Sequence, residues 1–442
     1  MGSEEAFLYG ADSTPRLRNS VRLHLILLLF GLGFILGQPD LAFSKKIKIV
    51  PSSKTTSKNK ATKPLQNKVK PSSLQLNPPN LRPRPPLPSY FFSEDKDIPL
   101  FSNRSEYPPL SPIRRSVALT TAVLPGILVH GLGHMVAGRW ETGLGLFLTE
   151  LYGVSLITMG AMGSATTGAS RDLIWFFASS ILVGLHLLAS TYVADIYGLA
   201  VPLKHQRTGM AHTPRLQLEG GYGYIMDPSF SYRHLGLVKA DWYWKGLRVS
   251  PNMMIALNDD NQRLELNVAW RFLGPRPHKQ DSVKDSSMLE IEWISSFHRF
   301  GTEGFASIAT GLALRSRLEM HHLDTALKGS FVYLRLGYAF QWSDLQLENL
   351  DADLNSLLLV SFGFGFRIPG LYPGSEFKFT YQHRNDDFTA GMKLESIVNG
   401  TAIGHPGIDA LLFFQSSWGI RLTFQLASGY LARAYFVYRF GE

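Results

Sequence analysis

The chain has no cysteine and comparatively few charged residues. The absence of cysteine excludes disulfide bonds, thiolate metal ligands and cysteine nucleophiles, but it does not identify a cellular compartment. Charged residues make up 18% and hydrophobic residues 45% of the 442 residues, which excludes a wholly disordered protein and a highly charged solenoid. Aromatic residues (12%) and the 40 glycines are instead abundant, and both are typical of a β-rich protein that faces lipid.

Residues 1–44 lack a hydrophobic run long enough to span a membrane, but they have the pattern of an export signal. Three arginines precede an apolar run from Leu23 to Gly37, which is 15 residues long, whereas a transmembrane helix needs about 20. Small residues at Ala42 and Ser44 predict cleavage before Lys45. We therefore expect a signal peptide, with an uncleaved N-terminal anchor as the alternative.

Acidic residues are missing from residues 45–92, which contain nine lysines and two arginines. The formal net charge of +9 therefore belongs to this stretch, and the rest of the chain is nearly neutral. A nucleic-acid-binding protein carries its basic stripe on the folded surface, so nucleic acid is not a predicted partner. Because 13 of the 25 prolines lie between residues 45 and 112, we predict a disordered spacer over residues 45–115. Contact of residues 45–92 with lipopolysaccharide or peptidoglycan is the alternative.

Residues 116–204 consist of apolar stretches that are interrupted by Gly, Ala, Ser and Thr rather than by charges. The pattern predicts a small module of three helices, at 116–138, 140–163 and 171–199, with Pro125-Gly126 as a kink in the first helix or as its start. Small residues let helices approach one another closely, as they do in membrane bundles. Two interpretations stay open at this point: helices in the inner membrane, or a compact exported bundle.

From Arg215 onwards, the hydrophobic period changes to two. In Arg263–Phe272, for example, Leu, Leu, Val, Trp and Phe share one face, and Arg, Glu, Asn, Ala and Arg share the other. Turn-forming residues separate segments of about ten residues, the length that a tilted strand needs to cross a membrane. The predicted strands are 215–226, 234–244, 247–257, 262–272, 287–300, 303–320, 327–342, 356–368, 375–384, 387–396, 409–418 (with 420–426 as a bent continuation) and 429–440.

Alternation also occurs in soluble β-sandwiches, so only the composition of the two faces can distinguish a sandwich from a transmembrane barrel. The apolar face carries many large aromatic residues, such as Trp270, Trp293 and Phe424, while the opposite face is polar and rich in Gly and Arg. This combination favours a lipid-facing exterior around a hydrated or hydrogen-bonded interior. We predict a mainly β fold: an antiparallel transmembrane β-barrel of about 12 strands (range about 10–14) over residues 213–442, preceded by the three-helix module.

The last predicted strand contains alternating aromatic residues that end with Phe436, Tyr438 and Phe440. This pattern resembles the terminal strand of Gram-negative outer-membrane β-barrel proteins, although two residues follow Phe440 here. The resemblance is at the level of the class and covers about residues 213–442. It implies export, recognition by the barrel-insertion machinery and contact with lipid in the cell outer membrane, and it implies no particular activity. With the barrel there, we expect the N-terminal part and the helical module in the periplasm or at the barrel's periplasmic mouth.

The segment from His130 to His134 places two imidazoles at i and i+4 on one predicted helical face, with Glu150 further along the chain. The segment resembles the zinc helix of site-2-type membrane metalloproteases over about ten residues. Gly131, however, occupies the position of the general-base glutamate that would activate a metal-bound water. The candidate metal ligands are therefore His130, His134 and Glu150. The favoured alternative is a structural contact in which these three side chains hydrogen-bond to one another.

The predicted interior face carries more basic than acidic side chains. Its acidic members are Glu265, Glu290 and Glu292. The imbalance indicates a lumen that tolerates small anions, and the alternative is a network of Arg–Glu pairs that only stabilises the barrel. About 12 strands enclose a narrow interior, so a closed or plugged barrel is at least as consistent with the pattern as a pore. The predicted lumen-lining basic residues are Arg263, Arg271, Arg335, Arg367, Lys378, Arg421, Arg433 and Arg439.

These patterns together predict an outer-membrane barrel with a structural or transport-like role. The sequence contains neither a phosphate-binding glycine loop nor a nucleophile elbow, and no catalytic residue or cofactor is predicted. Two other classes remain as alternatives. One is an outer-membrane enzyme, either metal-dependent or a lipid hydrolase, and the other is an envelope tether that acts through the basic spacer.

Overall fold

The computed structural model describes residues 107–168, 173–201, 214–226, 232–275, 285–301, 304–343, 355–383, 404–426 and 429–440. The predicted signal peptide and most of the predicted spacer lie outside these residues, and so does the predicted strand 387–396.

Twelve antiparallel strands form a closed barrel in which each strand pairs with the next and β1 pairs with β12. The prediction of an antiparallel barrel of about 12 strands, preceded by helices, is therefore confirmed. The strands are β1 Leu216–Met226, β2 His234–Trp244, β3 Leu247–Ala256, β4 Gln262–Leu273, β5 Met288–Phe300, β6 Phe305–Glu319, β7 Ser330–Ser343, β8 Asn355–Arg367, β9 Glu376–Gln382, β10 His405–Phe413, β11 Trp418–Leu426 and β12 Tyr430–Phe440.

The boundaries differ from the prediction at one hairpin. Segments 409–418 and 420–426 were expected to form one bent strand, and this prediction is wrong. They belong to β10 and β11, which pair antiparallel, for example at Leu412 and Ile420. The polar residues between Phe414 and Trp418 close a tight turn, in which the Phe414 N–H donates to the Trp418 carbonyl oxygen at 3.2 Å.

The two faces of the barrel wall differ in chemistry at successive residues. On β5, Glu292 points inward and is 3% exposed, whereas the neighbouring Trp293 points outward and is 42% exposed. The same alternation gives an outer surface of exposed apolar side chains and an inner surface of buried polar ones. Exposed outward residues include Trp242, Trp270, Leu312, Phe424, Phe436 and Phe440.

Within the described residues, four α-helices precede the barrel: α1 Pro112–Val123, α2 Leu132–Val136, α3 Trp140–Thr166 and α4 Ile174–Ala200. The predicted helices 140–163 and 171–199 correspond to α3 and α4. The prediction of one helix over 116–138 is wrong, because the chain breaks between α1 and α2. Pro125 lacks the N–H that a continuous helix needs, and Gly131 adopts a left-handed conformation with φ of 86°.

Helices α3 and α4 form a close-packed antiparallel hairpin. A Cβ atom built on Gly184 would lie 2.5 Å from the carbonyl oxygen of Gly153, and one on Gly160 would lie 2.6 Å from the carbonyl oxygen of Phe177. Glycine is therefore required for this helix separation, as the small-residue pattern predicts.

The hairpin packs on the outward face of the barrel wall, along β7 and β8. Leu182 and Val183 of α4 contact the outward side chains of Leu334 and Phe362, and Tyr197 lies against Phe364 and Phe366. Phe364 is only 2% exposed as a result, whereas outward rings elsewhere on the barrel are exposed. The expected position of the helices was in the periplasm or at the barrel's periplasmic mouth. In the structure α4 lies along the side of the barrel, because that wall offers an apolar surface for α4 to cover. The periplasmic placement stays a prediction.

Candidate functional site

The inward face of the barrel carries a continuous series of ion pairs, which we call the ion-pair belt. Its members are Lys378, Asp409, Arg421, Glu219, Lys239, Asp241, Arg248, Glu292 and Arg335. These residues come from β9, β10, β11, β1, β2, β3, β5 and β7, so the belt follows most of the circumference of the barrel.

The first part of the belt joins the two ends of the barrel sequence. Asp409 Oδ2 lies 3.0 Å from Lys378 Nζ and 2.8 Å from Arg421 Nη2. Arg421 also reaches Glu219 of β1, where Nη1 and Oε1 are 3.1 Å apart. Because β12 lies between β11 and β1, this last pair passes inside the barrel over an intervening strand.

The second part continues from β1 to β7. Lys239 Nζ lies 3.7 Å from Glu219 and 2.8 Å from Asp241, and Arg248 lies 3.7 Å from Asp241. Arg248 Nη2 donates to Glu292 Oε1 at 2.7 Å, and Arg335 Nε lies 2.8 Å from Glu292 Oε2. Each carboxylate of this part thus lies within ion-pair distance of two cations, and buried charges need such partners.

A second group of charges lies nearer to the end of the barrel where β1 begins and β12 ends, which we call the terminal end. Arg317 of β6 holds Glu376 of β9 through two hydrogen bonds of 3.1 and 2.7 Å, although β7 and β8 separate the two strands. Glu319 accepts from Arg367 at 2.6 Å and from Arg317 at 3.2 Å. The Arg317 guanidinium also lies over the Phe331 ring, 3.4 Å from its centroid.

The remaining predicted lumen residues also have inward partners. Arg271 lies 2.7 Å from Glu290, and Arg263 lies 3.2 Å from Glu265. Arg433 donates to the Gln425 side chain and Arg439 to the Gln217 side chain, each at 3.0 Å. All eight basic residues that the sequence assigned to the lumen therefore face inward. The sequence analysis missed Lys239, Arg248, Arg315 and Arg317, and the carboxylates Glu219, Asp241, Glu319, Glu376 and Asp409.

Apolar side chains fill other parts of the interior. Leu235, Leu237, Met254, Leu431 and Val437 belong to one buried cluster between strands β1 to β3 and β10 to β12. A second buried cluster joins inward side chains of β5 to β8, among them Leu357 and Leu359. Apolar packing of this kind excludes water, so these parts of the interior resemble a protein core.

His130 and His134 lie in the helical module, and each has a different acidic partner. His134 Nδ1 lies 2.6 Å from Asp195 Oδ1, and the same carboxylate accepts the backbone N–H groups of Gly131, Gly133 and His134 at 2.9, 3.3 and 3.2 Å. Asp195 therefore binds the start of α2, where backbone donors have no helical partner.

His130 instead binds Glu150 and Thr191. Its backbone N–H donates to Glu150 Oε2 at 2.8 Å, and its Nδ1 lies 2.7 Å from Thr191 Oγ1. Burial lowers the pKa of His130, and the nearby carboxylates of Glu150 and Asp195 oppose this effect. The two imidazoles thus have separate side-chain partners, Thr191 for His130 and Asp195 for His134, rather than the mutual bonds of the structural alternative. The metal site at His130, His134 and Glu150 stays a prediction.

Glycines determine how closely this segment packs. A Cβ on Gly131 would lie 2.1 Å from the carbonyl oxygen of Gly143, and one on Gly198 would lie 2.5 Å from His134 Nε2. The His134 ring is completely buried against Gly198. Its role in the fold is therefore to bind the Asp195 carboxylate that joins α2 to α4.

The aromatic residues of the terminal strand project outward. Phe436, Tyr438 and Phe440 are exposed, and β12 pairs with both β1 and β11. This arrangement fits a lipid-facing position, and their recognition by the insertion machinery stays a prediction.

The fold and its interior define the class: a closed antiparallel barrel of 12 strands with an apolar exterior and a charge-paired interior. No protein-family model and no curated protein matches the chain. Solved outer-membrane barrels are similar to its C-terminal part.

Three of the similar structures illustrate how distant the similarity is. The NanC porin has a TM-score of 0.33 and 11% identity, over 51% of this chain and 98% of the porin. The translocator domain of the autotransporter NalP from Neisseria meningitidis has a TM-score of 0.30 and 12% identity, over 54% and 91% of the two chains. The Acinetobacter baumannii outer membrane protein Omp33 has a TM-score of 0.26 and 8% identity, over 52% and 100%. Similarity at this level does not assign a function to the chain, so the proposal below rests on the arrangement of its own side chains.

Proposed function

We propose that the chain is an integral outer-membrane protein whose barrel is closed by its own side chains and has a structural role in the membrane. The ion-pair belt is the observation that carries this proposal. Several of its pairs pass over intervening strands inside the barrel, and three of its four carboxylates are almost completely buried: the Glu219, Glu292 and Asp241 side chains are 1%, 4% and 8% exposed. A water-filled pore would leave such groups solvated rather than paired and buried.

The exterior supports the membrane location. Large apolar side chains are exposed around the barrel on β1 to β6 and β9 to β12, an arrangement that water would disfavour and hydrocarbon would favour. The aromatic residues of β12 lie within this surface, as the resemblance to outer-membrane barrels implies. If the chain is oriented in the membrane as the resemblance to outer-membrane barrels implies, the terminal end of the barrel faces the periplasm.

The helical hairpin is proposed to share the membrane with the barrel. Helices α3 and α4 have 27 residues each and are long and apolar enough to cross a membrane. At about 1.5 Å per residue, each exceeds the roughly 30 Å of the hydrocarbon core. Helix α4 covers the apolar wall of β7 and β8, and the far side of α3 exposes Leu148, Leu151, Met159 and Met162. Lipid chains are the partner that suits this exposed face, which continues the apolar exterior of the barrel.

A second candidate function is the binding or passage of small anions. Within the belt, four of the five basic groups are more accessible than the acidic ones. The Lys239 and Arg421 side chains are 25% and 20% exposed, and the Glu219 side chain is 1% exposed; Arg248, at 6%, is the exception. Any solvent that enters the interior at this level therefore meets cations first. This favours anions over cations as ligands.

Conductance in planar bilayers distinguishes the two functions. For the full-length protein, we expect no steady open-channel conductance, because ion pairs and apolar clusters fill the interior. The variant Arg421→Ala is expected to show larger or more frequent current steps, since it removes the group that joins Asp409 to Glu219. The outward variant Leu312→Ala, which leaves the interior unchanged, is the matched control. Steady, anion-selective conductance of the unmodified protein would contradict the closed barrel and support the second function.

The other classes remain predictions. The envelope tether depends on residues 45–92, which lie outside the described residues. The enzyme alternative depends on His130, His134 and Glu150 or on a lipid hydrolase site.

A further inference from the structure

Three potential metal ligands meet at the terminal end of the barrel, outside the helical module. Asp285 lies three residues before the start of β5, and His321 and His322 lie in a single 3₁₀ turn, Met320–His322, that follows β6. One ligand atom from each of the three residues lies within 4.8 Å of the other two. The His322 Nε2 and Asp285 Oδ2 atoms are 2.9 Å apart, and the centroids of the two imidazole rings are 4.1 Å apart.

We propose that Asp285, His321 and His322 form a binding site for a first-row divalent transition metal, for which zinc is the test ion. Two imidazoles and one carboxylate are a donor set that suits zinc and its neighbours and leaves a position for water. Tetrahedral zinc places its ligand atoms about 3.4 Å apart, so side-chain rotations are enough to bring the three atoms together.

The backbone that carries the ligands is held by contacts that do not involve them. Ser286 donates to Glu319 through its hydroxyl, and Ser287 Oγ accepts the Glu319 N–H at 2.9 Å. These two bonds join the residues after Asp285 to the residue before the histidine turn. Such contacts around the ligands preorganise a metal site, because binding of the ion then requires little further ordering of the backbone.

The other side of the histidine turn is equally well held. Asp324 accepts the hydroxyl groups of Tyr107 and Thr142 at 3.0 and 2.8 Å, and its side chain also accepts the Ala326 N–H. Met320 and Leu327 are buried in the cluster that joins the turn to α4. The turn is therefore anchored to the barrel and to the helices.

The proposed ligands are accessible from solution. The Asp285 and His322 side chains are 27% and 23% exposed, so an ion in solution can reach them.

A bound ion would join the connection before β5 to the turn after β6. This role is structural and does not depend on the proposed function of the barrel. The site is also distinct from the one that the sequence predicts at His130, His134 and Glu150.

Titration of the chelator-treated, full-length protein in detergent tests the proposal. Zinc is followed by calorimetry and cobalt by its visible absorption. We expect one site whose affinity falls about tenfold or more in His322→Ala and in Asp285→Asn. The control His234→Ala removes an exposed histidine at the opposite end of the barrel and should bind as the unmodified protein does. Heat-modifiable gel mobility verifies that each variant is folded.

Three outcomes would overturn the proposal. They are the absence of zinc binding by the unmodified protein, unchanged binding by folded His322→Ala, and a loss of binding in His130→Ala with none in His322→Ala. The last result would assign the ion to the helical module instead.

Discussion

Replacement of Glu219 by glutamine is expected to lower the free energy of unfolding of the barrel by about 1.5–3 kcal/mol, because it removes a buried negative charge that Lys239 and Arg421 share. Glu219 is 2% exposed and pairs with both Lys239 and Arg421. It is the only belt residue from β1, so it connects the last strands of the barrel to the first ones. Urea unfolding of the refolded protein in detergent, followed by tryptophan fluorescence, measures the change.

The matched control for this prediction is Glu265→Gln. Glu265 also faces inward, but its side chain is 16% exposed and pairs with one cation, Arg263. We expect a loss of about 1 kcal/mol there, as for a single partly solvated interaction. Equal losses for the two variants would contradict a role of the belt in holding the barrel together.

The second large effect is expected at Asp195. Its completely buried carboxylate accepts three backbone N–H groups and lies 2.6 Å from His134 Nδ1. Asp195→Ala leaves these donors unpaired inside the helical module, and each buried unpaired group costs about 1–3 kcal/mol. We expect α1 and α2 to separate from α4 while the barrel stays folded. Limited proteolysis measures the separation of α1 and α2 from α4, and heat-modifiable gel mobility measures whether the barrel stays folded.

Asp195→Asn serves as the conservative variant for comparison. The amide retains one oxygen that can accept from the backbone, so protection against protease should be intermediate between the unmodified protein and Asp195→Ala. An exposed hydroxyl on α3 provides the neutral control, Ser155→Ala. Full protection in Asp195→Ala would show that the carboxylate does not hold the segment.

The barrel could be predicted because the alternation of polar and apolar residues along each strand is a property of the local sequence. Alternation in segments such as Arg263–Phe272 depends only on which face of a strand each residue occupies. The hairpin between β10 and β11 was missed because its turn, 414–417, has no glycine or proline to mark it. The break near Pro125 was visible in the sequence, but the left-handed conformation of Gly131 was not.

The interior network was only partly predictable. Inward positions follow from alternation, yet the pairing of Arg317 with Glu376 depends on the curvature of the closed sheet, which brings β6 and β9 together. Asp195 was overlooked because it lies one residue beyond the apolar stretch that ends at Ala194. It is nevertheless the only acidic residue of α4, and a lone carboxylate in an apolar helix is a signal for a buried partner.

The position of the helices could not be predicted from their composition. Small residues indicate close packing, but they do not say whether the partner is another helix or a barrel wall. The contacts of α4 with Leu334 and Phe362 involve outward side chains that the sequence alone assigns to lipid.

The central claim is that hydrocarbon covers the outward face of the barrel, and the absence of cysteine allows a direct measurement. Single cysteines at Leu312, which points outward, and at Ala313, which points inward, are labelled with bimane in protein reconstituted into vesicles. A third cysteine at Leu151 reports on α3. The account predicts that brominated lipid chains quench bimane at Leu312 and Leu151 but not at Ala313. Equal quenching at Leu312 and Ala313, or labelling of Leu312 by a water-soluble maleimide in the intact vesicles, would contradict it.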